Sequence, residues 1–339
     1  MDLNIIWFLL IGFFITVYVI LDGYDFGVGL LHLFARDDQE RRVNLSAIGP
    51  LWDGNEVWLI AGGGSLLAVF PVVYSTVLSV FYLLFFLLLF SLILRALSIE
   101  FRDKVTRQGW QRFWDWGFTL GSISSSLMYG IMLGNILQGL PINEGHISAG
   151  HLSSLINPYS VFTGILTLAL CAMHGAIYMT LKADDVYLRR IKRYVFIAWI
   201  VFIILYPAVV AVTVYTLPVM IKTLLNKTLF IPLAIINIAS IVYIPIANRQ
   251  GKCGRAFSAS AVMIASLMGL LGLSLFPALV PSSIDPLYSL TAYNASAGPY
   301  TLKVMLVIAL IALPMIIGYA VFVNWVFKGK TVIHGEGYD

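Results

Sequence analysis

Trp52-Asp-Gly-Asn-Glu-Val-Trp58 stands inside an apolar run, residues 44–70, that is long enough to cross a bilayer as a helix, and it carries two carboxylates. A charged side chain near the bilayer centre costs about 2.5–3.5 kcal/mol on insertion scales, so Asp53 and Glu56 need a role there. Three residues apart, they share one helix face. A structural ion pair, an ion path, or a site facing a partner subunit would each supply that role.

The runs on either side of this stretch set the fold class. Nine segments reach the roughly 20 apolar residues that span a hydrocarbon core: 5–31, 44–70, 72–97, 113–137, 159–181, 195–217, 229–247, 257–280 and 300–327. Counting Arg95 at the end of the third span, the first, third, fifth and seventh connections and the C-terminal tail hold 18 of the 21 Lys and Arg residues. That alternation predicts an all-α membrane protein of nine spans, with the N-terminus outside and the C-terminus cytoplasmic. The first run has no basic leader and no small-residue cleavage pattern, so it is expected to be a retained span. The helix count suggests a single membrane domain made of two four-helix halves, 5–137 and 159–280, with an additional peripheral helix at 300–327.

Composition agrees with this reading. Of 339 residues, 60% are hydrophobic and 11% are charged, which excludes a soluble protein. The net charge of +4 comes mostly from short loops, so no nucleic-acid partner is indicated. Cys171 and Cys253 have no second Cys or His at ligand spacing and read as isolated thiols. No phosphate-cradling loop, nucleophile elbow or zinc motif occurs.

The ionisable residues are distributed unevenly. Asp22 and Asp25 fall near the inner end of the first span, and Asp53 lies nine residues into the second, about 13 Å of rise. Packed as antiparallel neighbours, the two spans would bring Asp22, Asp25, Asp53 and Glu56 into the cytoplasmic half, with Arg95 of the third span as candidate partner. Asp115, in Trp114-Asp-Trp-Gly117, reads as an interfacial structural residue. The second half has no intramembrane carboxylate, which argues for a one-sided acidic cluster rather than a continuous relay. Of five histidines, His146 and His151 sit in an external loop and His334 in the tail; His32 and His174 lie near the inner membrane level. A haem bridging these last two is the less favoured reading beside ordinary hydrogen-bonding roles.

Taken together, Leu21-Asp-Gly-Tyr-Asp-Phe-Gly-Val-Gly29, Glu40-Arg-Arg42, the Trp52–Trp58 stretch, Trp114-Asp-Trp-Gly117, Gly134-Asn-Ile-Leu-Gln-Gly139 and Thr301-Leu-Lys-Val-Met305 resemble subunit II of the cytochrome bd quinol oxidases. They run in family order over nearly the whole chain. The resemblance implies a multi-pass protein of the bacterial plasma membrane and a heterodimer with a haem-bearing subunit I. In that complex quinol is oxidised and dioxygen is reduced to water with cytoplasmic protons. Haem b and haem d would belong to the partner, so this chain alone would not be catalytic. A structural quinone and a small single-span subunit are further components that the resemblance brings into question. By the family's pattern Asp25 and Asp53 occupy proposed proton-path positions, with Asp22 and Glu56 beside them, and Trp58 lines a lateral oxygen entrance in some members. Glu56 stands where some members have glutamine. Two other readings remain at this point: a proton-coupled secondary transporter, and a purely structural partner of a haem subunit.

Overall fold

The computed structural model describes residues 2–143 and 152–331. The chain begins with α1 (Leu3–His32) and the short α2 (Asp38–Ile48). Next come α3 (Trp52–Val69), α4 (Pro71–Val80) and α5 (Tyr82–Phe101), then a 3₁₀ turn at Arg102–Lys104 and α6 (Gln108–Gln138). The second part holds α7 (Leu152–Leu155), α8 (Pro158–Lys182), α9 (Asp185–Thr216), α10 (Pro218–Leu225), α11 (Phe230–Arg249) and α12 (Cys253–Leu275). A two-stranded hairpin, β1 (Ala278–Val280) and β2 (Leu290–Thr291), precedes α13 (Pro299–Val326). Among the described residues eight helices are long and apolar enough to cross a membrane, or nine if α3 and α4 count as one bent span.

The expected second and third spans, 44–70 and 72–97, are cut differently from their hydropathy. Helix breaks at Gly49–Leu51, because Pro50 has no N–H to give the preceding turn. A second break falls at Phe70, whose φ −128° and ψ 63° are outside the helical region, as expected of a residue before proline. There α3 and α4 meet at 117°. Pro71 starts α4, and the transmembrane helix proper resumes at Tyr82. The break at Phe70 coincides with the boundary between the two expected spans, whereas apolarity runs unchanged through Gly49–Leu51 and Phe81, so hydropathy alone does not place those two.

Helices α1 and α8 cross at the centre of the molecule, where α1 also packs on α3 and α6, and α8 on α6, α9 and α12. The approach requires two glycines. A Cβ on Gly27 would strike the Cys171 carbonyl and stand 2.7 Å from Gly175 Cα, while one on Gly175 would stand 2.5 Å from Gly27 Cα. With no hydrophobic drive between helices in lipid, such close backbone packing is a main source of association. Beside the crossing, Tyr24 and Tyr178 stack at 4.0 Å, and Tyr178 Oη donates to the Ala47 carbonyl at 2.7 Å. Helices α11 and α12 pair closely, whereas α13 lies against α3 and α1 with only Leu302 buried.

Each end of the bundle has its own closure. At one, the hairpin joins the end of α6, Leu140 N donating to the Pro281 carbonyl at 2.9 Å and Trp7 Nε1 to the Leu302 carbonyl at 3.0 Å. At the other, Arg102 is spread over three carboxylates, with Nε 2.6 Å from Asp115 Oδ1, Nη1 2.7 Å from Asp103 and Nη2 2.6 Å from Asp38. Arg41 reaches Asp115 Oδ2 at 2.9 Å, and His32 Nε2 reaches Oδ1 at 2.7 Å. Asp115, expected at the interface, is thus a buried hub: only 6% of its side chain is exposed, and it ties α1, α2, α6 and the 3₁₀ turn together.

Candidate functional site

The Trp52–Trp58 stretch forms the start of α3, which runs antiparallel to α1. Asn55 meets Tyr24 and Asp25, Trp58 lies against Phe14, and Gly62 lies against Phe14 one turn on. Asn55 Nδ2 donates to Asp25 Oδ2 at 2.8 Å and to Tyr24 Oη at 2.9 Å. Asp25 is fully buried, and its Oδ1 has no hydrogen-bond partner.

One helical turn towards the N-terminus of α1, Asp22 is also fully buried. Arg95 of α5 brings Nη2 within 2.7 Å of both Asp22 Oδ1 and Glu56 Oε1. The contact with Glu56 is an aligned hydrogen bond; that with Asp22 is an ion pair at the same distance without hydrogen-bond alignment. The guanidinium carbon lies 4.4 Å from the centre of the Phe26 ring, which covers one face of the cation. Arg95 and Asp22 are closed to solvent, whereas the Glu56 side chain is 25% exposed.

Asp53 stands at the outer edge of this group and is not among the ion pairs of Arg95. It sits exposed in the first turn of α3, one turn below Glu56. Its helix-mate Gly54 faces Tyr319 of α13. Trp58 is buried among Phe13 and Phe14, ring centres 6.0 and 6.2 Å away, and its Nε1 has no partner. Three polar residues that sequence reasoning passed over complete the neighbourhood. Asn55 supports Asp25, while Tyr18 and Tyr129 share a 2.8 Å hydroxyl contact. Tyr18 lies four residues before Asp22 on α1, a helical spacing that would have pointed to it.

The two described histidines are not placed to share one haem. His174 uses Nδ1 on Ser260 Oγ at 2.8 Å and Nε2 on the Ile20 carbonyl at 2.9 Å. His32 Nε2 is committed to Asp115, and Phe118 closes edge-on over the ring. His174 adjoins Gly23, and His32 is nine residues beyond that glycine, about 13 Å along α1, too far for one iron. That separation removes the bridging-haem reading. His146, His151 and His334 lie outside the described residues, and among the described residues no group of three or more His, Cys, Asp or Glu could hold a metal ion.

Residues 3–327 match the family model of cytochrome bd terminal oxidase subunit II. The chain belongs to this family. Cytochrome bd ubiquinol oxidase subunit 2 of Bacillus subtilis (strain 168) is 35% identical over 337 residues, 99% of this chain and 98% of the relative. Cytochrome bd-I ubiquinol oxidase subunit 2 of Escherichia coli (strain K12) is 30% identical over 97% of this chain and 95% of the relative. A chain in the solved structure of bd oxidase from Geobacillus thermodenitrificans shares the fold, with a TM-score of 0.81 at 17% identity over 96% of this chain and 99% of that one. Subunit II of a cytochrome bd terminal oxidase is a multi-pass plasma-membrane component of an oxidoreductase complex, which implies a subunit I partner and haem in the complex.

Proposed function

We propose that this subunit II delivers protons to a haem-bearing subunit I, through Asp53, Glu56, Asp22 and Asp25, for reduction of dioxygen to water with electrons from quinol. The observation that carries the reading is a gradient of burial across adjoining carboxylates. Asp53 is exposed, Glu56 is 25% exposed, and Asp22 and Asp25 are fully buried. Arg95 bridges the middle pair, and Asn55 holds the innermost carboxylate.

Physically, two of these carboxylates share one permanent cation and a third, Asp25, lies buried one turn along α1, an arrangement that invites protons as counter-charges. Glu56 can exchange them with the surface, and Arg95 Nη2 can lean towards either Glu56 or Asp22 as one of them takes a proton. Asp25 Oδ1, free of hydrogen bonds, is the atom at which a proton would leave this subunit. The Tyr18–Tyr129 pair extends the polar ground beyond Asp22.

In this reading the chain spans the membrane nine times in two four-helix halves plus α13, N-terminus outside and C-terminus cytoplasmic, so the cluster opens inward. Haem b and haem d sit in subunit I, and Trp58 borders the path of oxygen. A structural quinone and a small single-span subunit are further components to be sought in the purified complex. The test is Asp25→Asn, Glu56→Gln and Asp53→Asn in an assembled, haem-replete oxidase. Oxygen consumption and proton uptake should both fall, by about tenfold or more for Asp25→Asn. Unchanged rates in all three would leave the subunit a purely structural partner.

A further inference from the structure

The seam between α11 and α12 ends, at the turn from Arg249 to Cys253, among cations with no carboxylate on either helix. Residues 229–275 contain neither Asp nor Glu, yet they carry Arg249, Lys252 and Arg255. Lys192 of α9 adds a fourth charge, its Nζ 3.8 Å from where a Cβ on Gly251 would stand. Arg249 is laid over the Phe196 ring at 5.3 Å, and Lys252 Nζ donates to Gln250 Oε1 at 2.8 Å. Arg255 is exposed and makes no hydrogen bond or ion pair with any described residue. The first turn of α12 adds unpaired N–H groups, because its N-cap, Lys252, supplies no side-chain acceptor.

From Arg255 a groove of about 390 Å³ runs along the surface of the bundle. Ser258, Ala259 and Val262 of α12 form one wall, and Ser240 and Tyr243 of α11 the other. Its one charged group, Arg255, lies near the turn, and its far end is lined by Ala239 and Val262 with the single hydroxyl of Ser240. Val262 lies seven positions after Arg255, about 10 Å of helical rise. That covers roughly two-thirds of one leaflet's ~15 Å of hydrocarbon.

We propose that this groove is a binding site for one anionic phospholipid, with the phosphate against Arg255 and the first turn of α12 and an acyl chain along Ala259 and Val262. The charge is complementary, since the cations around the turn meet no acidic residue on these helices. A free cation at the level where helices leave the hydrocarbon is where an anionic headgroup lies. A soluble phosphate would engage the cationic end and leave the apolar length of the groove unused.

The test uses the assembled oxidase, delipidated in detergent and titrated with phosphatidylglycerol, phosphatidylcholine or inorganic phosphate, with bound lipid counted by native mass spectrometry and thermal unfolding followed in parallel. One phosphatidylglycerol per complex should be lost in Arg255→Gln, with an affinity about tenfold weaker at this site. Val262→Trp, which fills the groove and keeps the cation, should weaken it as well. In the wild type phosphatidylglycerol should raise the melting temperature where phosphatidylcholine and phosphate do not. Equal phosphatidylglycerol binding by both variants would overturn the proposal. So would a phosphate effect that matches the lipid's, or loss of subunit I from the Arg255→Gln complex, which would make the groove a protein contact.

Discussion

Asp22 Oδ1 and Arg95 Nη2 stand 2.7 Å apart, and neither side chain reaches solvent. Removing one member of a buried pair strands the other, at a cost of about 3–5 kcal/mol. Arg95→Met should therefore lower the melting temperature of the purified complex sharply and reduce its yield. Arg95→Met combined with Asp22→Asn should recover part of that loss, because the carboxylate then left without its cation is that of Glu56, which is 25% exposed. A double variant no better than the sum of its parts would show that the two residues act separately.

The α1–α8 crossing tolerates no side chain at its centre. Gly175→Ala would place a methyl 2.5 Å from Gly27 Cα and 2.6 Å from Val28 N, against backbone that cannot rotate away. Overpacking of this kind costs about 1–3 kcal/mol where neighbours can shift, and more where they are main chain. The expected outcome is loss of folded protein from the membrane fraction. Gly63→Ala, where a Cβ meets nothing within 4 Å, should leave the yield unchanged.

Asp115 holds His32, Arg41 and Arg102 together, and Asp115→Asn removes the one negative charge that they share. Because Arg102 and His32 are enclosed, a loss of about 3 kcal/mol is expected in thermal unfolding. Asp103→Asn at the exposed edge of the same web should cost less than about 1 kcal/mol.

The same web sets a dependence on pH through Asp38, outside the spans. Partial burial opposes its charge, but hydrogen bonds from Arg102 and Arg42 outweigh that and hold its carboxyl below the usual carboxylate range. A group whose folded value is depressed adds stability that is complete above its unfolded value. That stability is lost as pH falls through the folded value. The difference in melting temperature between wild type and Asp38→Asn should thus be constant above about pH 5 and shrink as the medium is made more acid. A difference that grows on acidification would contradict the assignment.

Asn55 is expected to act through Asp25. Replacing it with Ala removes the 2.8 Å donor to Asp25 Oδ2. Oxygen consumption by haem-replete complex should slow in Asn55→Ala, and the Asp25→Asn, Asn55→Ala pair should be no slower than Asp25→Asn alone. Additive losses would place Asn55 outside the relay.

What could be read from the sequence depended on which force fixed each feature. The long helices were legible because a spanning segment must be apolar over about 20 residues, a constraint every residue reports. The break at Phe70 falls where the sequence already parts 44–70 from 72–97, at Pro71; those at Gly49–Leu51 and at Phe81 lie inside apolar runs whose hydropathy does not register them. Arg95 could be named as a candidate partner because a lone cation inside a span has few ways to be neutralised. That it would face Asp22 and Glu56 together, with Asp53 left exposed, depends on the angular phase of three helices around a common axis. Asn55, Tyr18 and Tyr129 were invisible for another reason. Uncharged polar residues are common in spans, and only contact with Asp25 or with each other distinguishes these.

The last residues described fasten the end of α13 to the end of α8. Thr331 N donates to the Lys182 carbonyl at 2.9 Å, Lys330 Nζ to the Thr180 carbonyl at 3.2 Å, and Lys182 Nζ to the Phe327 carbonyl at 2.5 Å. Carbonyls in the final turn of α8 would otherwise lack intrahelical donors. Helix α8 is made before its fasteners, so during synthesis its polar end waits through five more helices, α9 to α13, for the segment that completes it. The order of manufacture thus leaves the central helix of the bundle to be sealed by the segment that follows α13.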